Sequence, residues 1–153
     1  MKGLMKTVTT LILLVFFMKP GFTHEAGHGE IEESGKFGGR TAPVVDNIDA
    51  EKINEVKPLY KAELVRTEAG KLSLYLFDEK MELMSLDAFA NEVEVKLEVK
   101  KKGKFIHFGE IKLSKHGNHF MGQLPKVEYK PFNLDMYIMK DKQKLFVGFA
   151  DLD

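Results

Sequence analysis

The feature that most constrains this chain is the strict alternation from Val93 to Val99. Val93, Val95, Leu97 and Val99 fall on one side, and Glu94, Lys96 and Glu98 fall on the other. Such a period of two marks a strand with one apolar and one wet face, the habit of antiparallel sheets. Shorter strand-like runs recur at Tyr60 to Thr67, Leu72 to Phe77, Phe105 to Leu113, His119 to Leu124, Leu134 to Met139 and Leu145 to Phe149. The pieces between them are turn-rich, among them Glu68-Ala69-Gly70, Lys101-Lys102-Gly103, Ser114-Lys115-His116-Gly117-Asn118 and Asp141-Lys142-Gln143. Short strands at intervals of about ten residues predict an all-β fold, an immunoglobulin-like antiparallel β-sandwich of about seven strands. A small closed β-barrel is the alternative.

Around this frame, Thr41-Ala42-Pro43-Val44-Val45 reads as an edge strand that opens the domain. Ile53 and Val56, three apart within Asp49 to Lys57, predict one or two helical turns that stop before Pro58. Leu72, Leu74 and Leu76 share one strand face, while Ser73, Tyr75 and Phe77 share the other. Glu79 to Asn91 is the longest irregular connection, better suited to a crossover than to a hairpin, with Leu86-Asp87-Ala88-Phe89 as a helical turn. No internal repeat stands out.

The N-terminus has a different character. Lys2 and Lys6 precede an apolar run from Thr7 to Met18, which Lys19-Pro20-Gly21-Phe22-Thr23 breaks. That order is the layout of a secretory signal peptide, and the run of roughly a dozen residues is too short to cross a bilayer as a helix. The expected organisation is a signal peptide over 1–23, a flexible His/Glu/Gly-rich tail over 24–40 and one domain over 41–153. The expected location is periplasmic or secreted, exported and soluble. Cleavage after Thr23 leaves 20 basic against 23 acidic residues, a net charge of −3. A weakly acidic chain has no electrostatic reason to bind nucleic acid. The 153-residue chain has no cysteine, which removes a lipoprotein anchor, thiolate ligands and thiol nucleophiles. No stable membrane anchor is therefore expected once the signal is removed.

Catalytic signatures are missing: there is no Gly-x-Ser-x-Gly elbow, no His-Glu-x-x-His helix and no phosphate-binding glycine loop. The chain is not expected to be an enzyme. Metal ligands are the better prospect. Cleavage after Thr23 makes His24 the first residue, with its α-amino group beside its imidazole, and His28 follows four residues later. Such nitrogen-rich sets suit tetragonal Cu(II). Cleavage after Glu25 instead gives Ala26-Gly27-His28, another Cu(II)- or Ni(II)-chelating terminus. The plain alternative is a polar tail whose histidines are incidental.

A second cluster is His116-Gly117-Asn118-His119-Phe120-Met121. Its two histidines flank a turn, and the Met121 thioether suits Cu(I). The plain reading makes Gly117-Asn118 the centre of a hairpin turn, with no carboxylate adjacent in sequence to orient the rings. Sharing an ion requires the imidazole nitrogens of His116 and His119 to come within roughly 4 Å of each other, with both rings on one side of that hairpin. His107, between Ile106 and Phe108, is expected to be a half-buried structural residue. The pairs Met81 with Met84 and Met136 with Met139 are expected to be core fillers, the second pair on opposite strand faces.

Beyond these residues, the stretches His24-Glu25-Ala26-Gly27-His28-Gly29, Gly38-Gly39-Arg40, Ala62-Glu63-Leu64-Val65 and Lys71-Leu72-Ser73-Leu74-Tyr75-Leu76-Phe77-Asp78 carry a resemblance. They resemble small exported bacterial β-sandwich proteins associated with heavy-metal efflux and copper handling. Related sequences often read Pro-His-Gly-Gly before the first strand. Lys36-Phe37-Gly38-Gly39 stands in that place here, so that histidine is lost. His24 also matches the N-terminal histidine of periplasmic copper carriers, whose downstream Asp-x-His is missing here. The resemblance implies a periplasmic metal-binding carrier or efflux accessory for copper, with His24, His28, His116, His119 and Met121 as ligands and an envelope or efflux protein as partner. The alternative is a metal-independent interaction or structural module of the envelope, using a sheet edge or an aromatic face of Tyr75, Phe77 and Tyr137.

Overall fold

A computed structural model describes residues 35–153, which form one closed barrel of eight antiparallel strands. The strands are β1 (Arg40–Asp46), β2 (Tyr60–Arg66), β3 (Lys71–Phe77), β4 (Phe89–Lys101), β5 (Lys104–His116), β6 (His119–Gln123), β7 (Phe132–Lys140) and β8 (Gln143–Leu152). Around the barrel they run β1-β2-β3-β6-β5-β4-β7-β8, and β8 returns to β1. The all-β expectation is met by the barrel alternative and not by two sheets facing each other. The physical reason is β1. Read as an edge strand, it instead pairs with β2 from Arg40↔Leu64 to Val44↔Tyr60 and with β8 at Val45↔Phe146 and Asp46↔Leu145. Closure of this kind removes two sheet edges at once. Pro43 fits because the β8 ladder reaches β1 only at Val45 and Asp46.

The alternation that suggested strands also fills the barrel. Val93, Val95, Leu97 and Val99 are buried, as are Leu72, Leu74, Leu76, Leu113, Phe120, Leu134, Met136, Ile138, Leu145, Val147 and Phe149. Met136 is buried and Met139 exposed, the odd-spacing geometry of a strand, while Met84 packs against the core from the long connection. Phe77 lies on the strand face away from Leu72, Leu74 and Leu76. It is fully buried, because Leu83 bridges to it in the next turn and Phe37 packs over it with ring centroids 6.1 Å apart.

The connection between β3 and β4 is the expected crossover, since β6 and β5 lie between those two strands in the barrel. It holds no helix; Leu86 to Phe89 is a single turn, closed by the Phe89 amide donating to the Leu86 carbonyl at 3.0 Å. The Lys115 ammonium donates to the carbonyls of Leu86 (2.8 Å) and Phe89 (2.5 Å), tying that turn to the end of β5. The helical turns expected at Asp49 to Lys57 are a 3-10 helix at Asn47–Lys52, started by the Asp46 carboxylate accepting from the Ile48 amide at 3.1 Å. Ile53 then joins Val45 and Phe146 in a small satellite cluster. No helix among the described residues is long and apolar enough to cross a membrane.

Gly35 to Arg40, read as the end of a flexible tail, belongs to the fold. The Gly35 amide donates to the Gly39 carbonyl at 2.9 Å, and the Gly38 amide to the Gly35 carbonyl at 3.1 Å, before Arg40 opens β1. Glu63 holds this turn down. It is fully buried on β2, and its Oε1 accepts the Phe37 and Gly39 amides, both at 2.8 Å. A Cβ on Gly35 would run into the Glu63 carboxylate, so glycine is required there by close approach.

Candidate metal centre on the β5–β6 hairpin

The His116-Gly117-Asn118-His119 turn is short because the hairpin needs only two central residues. Gly117 takes φ 62°, which matches the type II′ geometry that places glycine first. The register follows: His116 pairs directly with His119, Lys115 with Phe120, and Ser114 with Met121. Directly opposed residues share a sheet face with Cβ atoms about 4.5–5.5 Å apart. Phe120 is fully buried, so His116 and His119 point away from the core together. Met121, two residues beyond His119, lies on that same outer face. Gly117-Asn118 thus centres a hairpin, and that hairpin brings His116, His119 and Met121 onto one side.

The surroundings of the two rings differ. His116 is exposed, whereas His119 is half-buried against Tyr75 of β3, with ring centroids 4.9 Å apart and planes inclined by 21°. Phe37 stacks on the same Tyr75 at 4.2 Å. A row of three rings therefore runs from the glycine turn at the start of the fold, over Tyr75, to His119. Burial lowers the His119 pKa from its ordinary 6.5, and the neighbouring His116 and Lys71 lower it further. The ring is thereby biased to the neutral form, which is the form that ligates metals. Its Nδ1 lies 3.5 Å from Asn118 Oδ1, at the outer limit of a hydrogen bond.

Among the described residues, no group of three or more His, Cys, Asp and Glu is placed to hold a metal ion. A zinc-type site of nitrogen and carboxylate ligands is therefore not what the hairpin offers. Two imidazoles and one thioether on one outer face are donor types that Cu(I) accepts. His24 and His28, the other expected ligands, lie outside the described residues, as do the signal peptide and its cleavage point. His107 is not half-buried. It is exposed beside a bulge where Leu97 pairs with Gly109 but Glu98 with His107, so one extra residue swings this part of β5 out of regular alternation.

Two contributors escaped the sequence reading. Glu63 carries no role in the sequence reading, and only its central place in the otherwise apolar Ala62-Glu63-Leu64-Val65 hints at a buried one. Tyr75 was recognised as an aromatic surface residue, but its pairing with His119 depends on β6 lying beside β3, a non-sequential contact. A cleft of about 700 Å³ opens at the opposite end of the barrel, lined by Arg66, Gly70, Gln123, Lys126, Val127 and Phe132. None of the described histidines lines it, and its Arg66 is occupied by the Phe132 ring, 5.3 Å away, and by the Asp153 carbonyl.

Compared with family models, with curated proteins and with solved structures, the chain matches none. The reading of the hairpin accordingly rests on the chain's own residues.

Proposed function

We propose that this protein is an exported, non-enzymatic copper-binding carrier or efflux accessory whose folded-domain ligands are His116, His119 and Met121. The observation that carries the reading is the direct pairing of His116 with His119, with Met121 on the same outer face. Copper is cargo here, bound at the surface and passed on. A surface site with one exposed histidine suits transfer better than permanent storage, because an incoming ligand reaches the ion without opening the fold. The thioether favours Cu(I) over Cu(II), whereas the nitrogen ligands expected from His24 and His28 favour Cu(II). Within this reading the tail and the hairpin serve different oxidation states.

The test is an anaerobic Cu(I) titration of the mature exported protein against a competing chromophoric chelator. One equivalent is expected to bind. Both His116→Ala and His119→Ala should abolish that binding, and Met121→Leu should weaken Cu(I) while leaving Cu(II) unchanged. Replacing His24 and His28 with alanine should affect Cu(II) alone. Cu(I) binding that survives the His116→Ala, His119→Ala double variant would overturn the assignment.

A further inference from the structure

Closure of the barrel is incomplete between β5 and β6. β5 pairs with β4 from Lys104 to Ser114, but it meets β6 only at Ser114, Lys115 and His116. At Gly122 β6 still lies against β5, since a Cβ there would sit 2.7 Å from the Lys112 carbonyl oxygen. Beyond it β6 ends at Gln123, and the chain leaves across the barrel end towards β7. Among the described residues, the edge of β5 from Lys104 to Ile111 has no strand partner. Alternate N–H and C=O groups along such an edge point away from the sheet and offer a template for another strand.

The side chains along this edge differ from those of a merely solvated rim. Ile106 is 44% exposed and Phe108 46%, both on the unpaired stretch. Tyr129, 40% exposed, lies beside the Lys101 end of β4. The charge there is mostly positive: Lys100, Lys101, Lys102 and Lys104 cluster about the β4–β5 turn against Glu98 and Glu110, while Lys112 is paired with Glu92 at 2.8 Å. Lys100 lies over the ring of Phe105 (5.4 Å) and Lys101 over that of Tyr129 (5.2 Å).

We infer that the Lys104–Ile111 edge of β5 receives an extended segment of a partner protein as a ninth strand. That segment carries acidic side chains against the lysines and apolar ones against Ile106 and Phe108. Main-chain hydrogen bonds supply the attachment, and side-chain contacts supply the selection, as in strand-addition recognition generally. The site is separate from the histidine hairpin and needs no metal.

The experiment uses a capped synthetic peptide of alternating Glu and Val, with a Lys–Val peptide as control, added to the full mature protein. Amide hydrogen exchange followed by NMR should show new protection at residues within Lys104–Ile111 and little change elsewhere. The Lys–Val control should bind about tenfold more weakly or less. The Ile106→Ser, Phe108→Ser variant should lose about tenfold in affinity. Lys104→Glu, an exposed change that leaves the core untouched, should weaken the Glu–Val peptide and strengthen the Lys–Val one. Absence of new protection on this edge at millimolar peptide overturns the inference. Protection that appears with rising protein concentration alone also overturns it, in favour of a second copy.

Discussion

Tyr75 lies flat against His119, with ring centroids 4.9 Å apart, while its other neighbour in the stack is Phe37. The contact joins β3 to the hairpin that carries the proposed copper ligands, and it joins both to the turn that begins the fold. It holds one imidazole of the pair in place and leaves His116 free to adjust.

The stack supplies an optical readout, because the protein has four tyrosines and no tryptophan. Copper bound at His119 should quench tyrosine emission mainly through Tyr75. Tyr75→Phe keeps the stacked ring but should remove most of the copper-dependent quenching while leaving the stoichiometry at one. Quenching of unchanged depth in Tyr75→Phe would place the ion elsewhere.

The lowered His119 pKa makes a signed prediction about acid. Burial, then His116, then Lys71 hold the folded value below the ordinary 6.5, so the unfolded state takes up the proton first. The associated stability is fully present above about pH 6.5 and is lost as pH falls towards the folded value. Midpoints of urea unfolding should therefore decline through that interval, and less so in His119→Gln. In NMR titrations the His119 ring should titrate below the ordinary 6.5, and His116→Ala should raise its value only in part, since burial is the larger cause.

Glu63 accepts two amide hydrogen bonds from the Gly35–Gly39 turn, and its Oε2 has no partner. Glu63→Ala leaves one buried and one part-buried donor unmatched and should cost about 2–4 kcal/mol in chemical denaturation. Glu63→Gln retains a carbonyl acceptor and removes a buried charge, so its cost should be clearly smaller. Equal losses in the two variants would contradict the clamp.

Lys115 closes the other side of the hairpin end by donating to the Leu86 and Phe89 carbonyls. Lys115→Met matches its apolar stem but not its donors, and should destabilise by about 2–3 kcal/mol. Exchange at the backbone amides of residues 86–89 should accelerate beyond what global unfolding explains. Normal exchange there would show the two bonds to be dispensable.

Much of the fold is legible in local pattern. Val93 to Val99, Leu72 to Leu76 and the turns at Lys102-Gly103 and Gly117-Asn118 each announce themselves, because side-chain alternation and left-handed turn geometry are properties of adjacent residues. His116 and His119 were likewise visible as a pair, since a two-residue turn forces opposed positions onto one face. Less legible were Glu63 and His107. Glu63 is buried by a turn more than twenty residues away, and His107 is exposed by a bulge that depends on the pairing partner.

By itself the sequence determined the strands, their inward faces and the hairpin that opposes His116 to His119, since each follows from periodicity or turn chemistry within a few residues. Tertiary structure alone decided whether those strands close. The same alternating pattern serves a sandwich and a barrel equally well, and the outcome depends on β1 meeting β8 across about one hundred residues of chain. That long-range pairing also sets β6 beside β3, stacking Tyr75 on His119, and lets β6 end before it covers β5. The histidine pair is local chemistry; its anchored ring and the open edge beside it are products of closure.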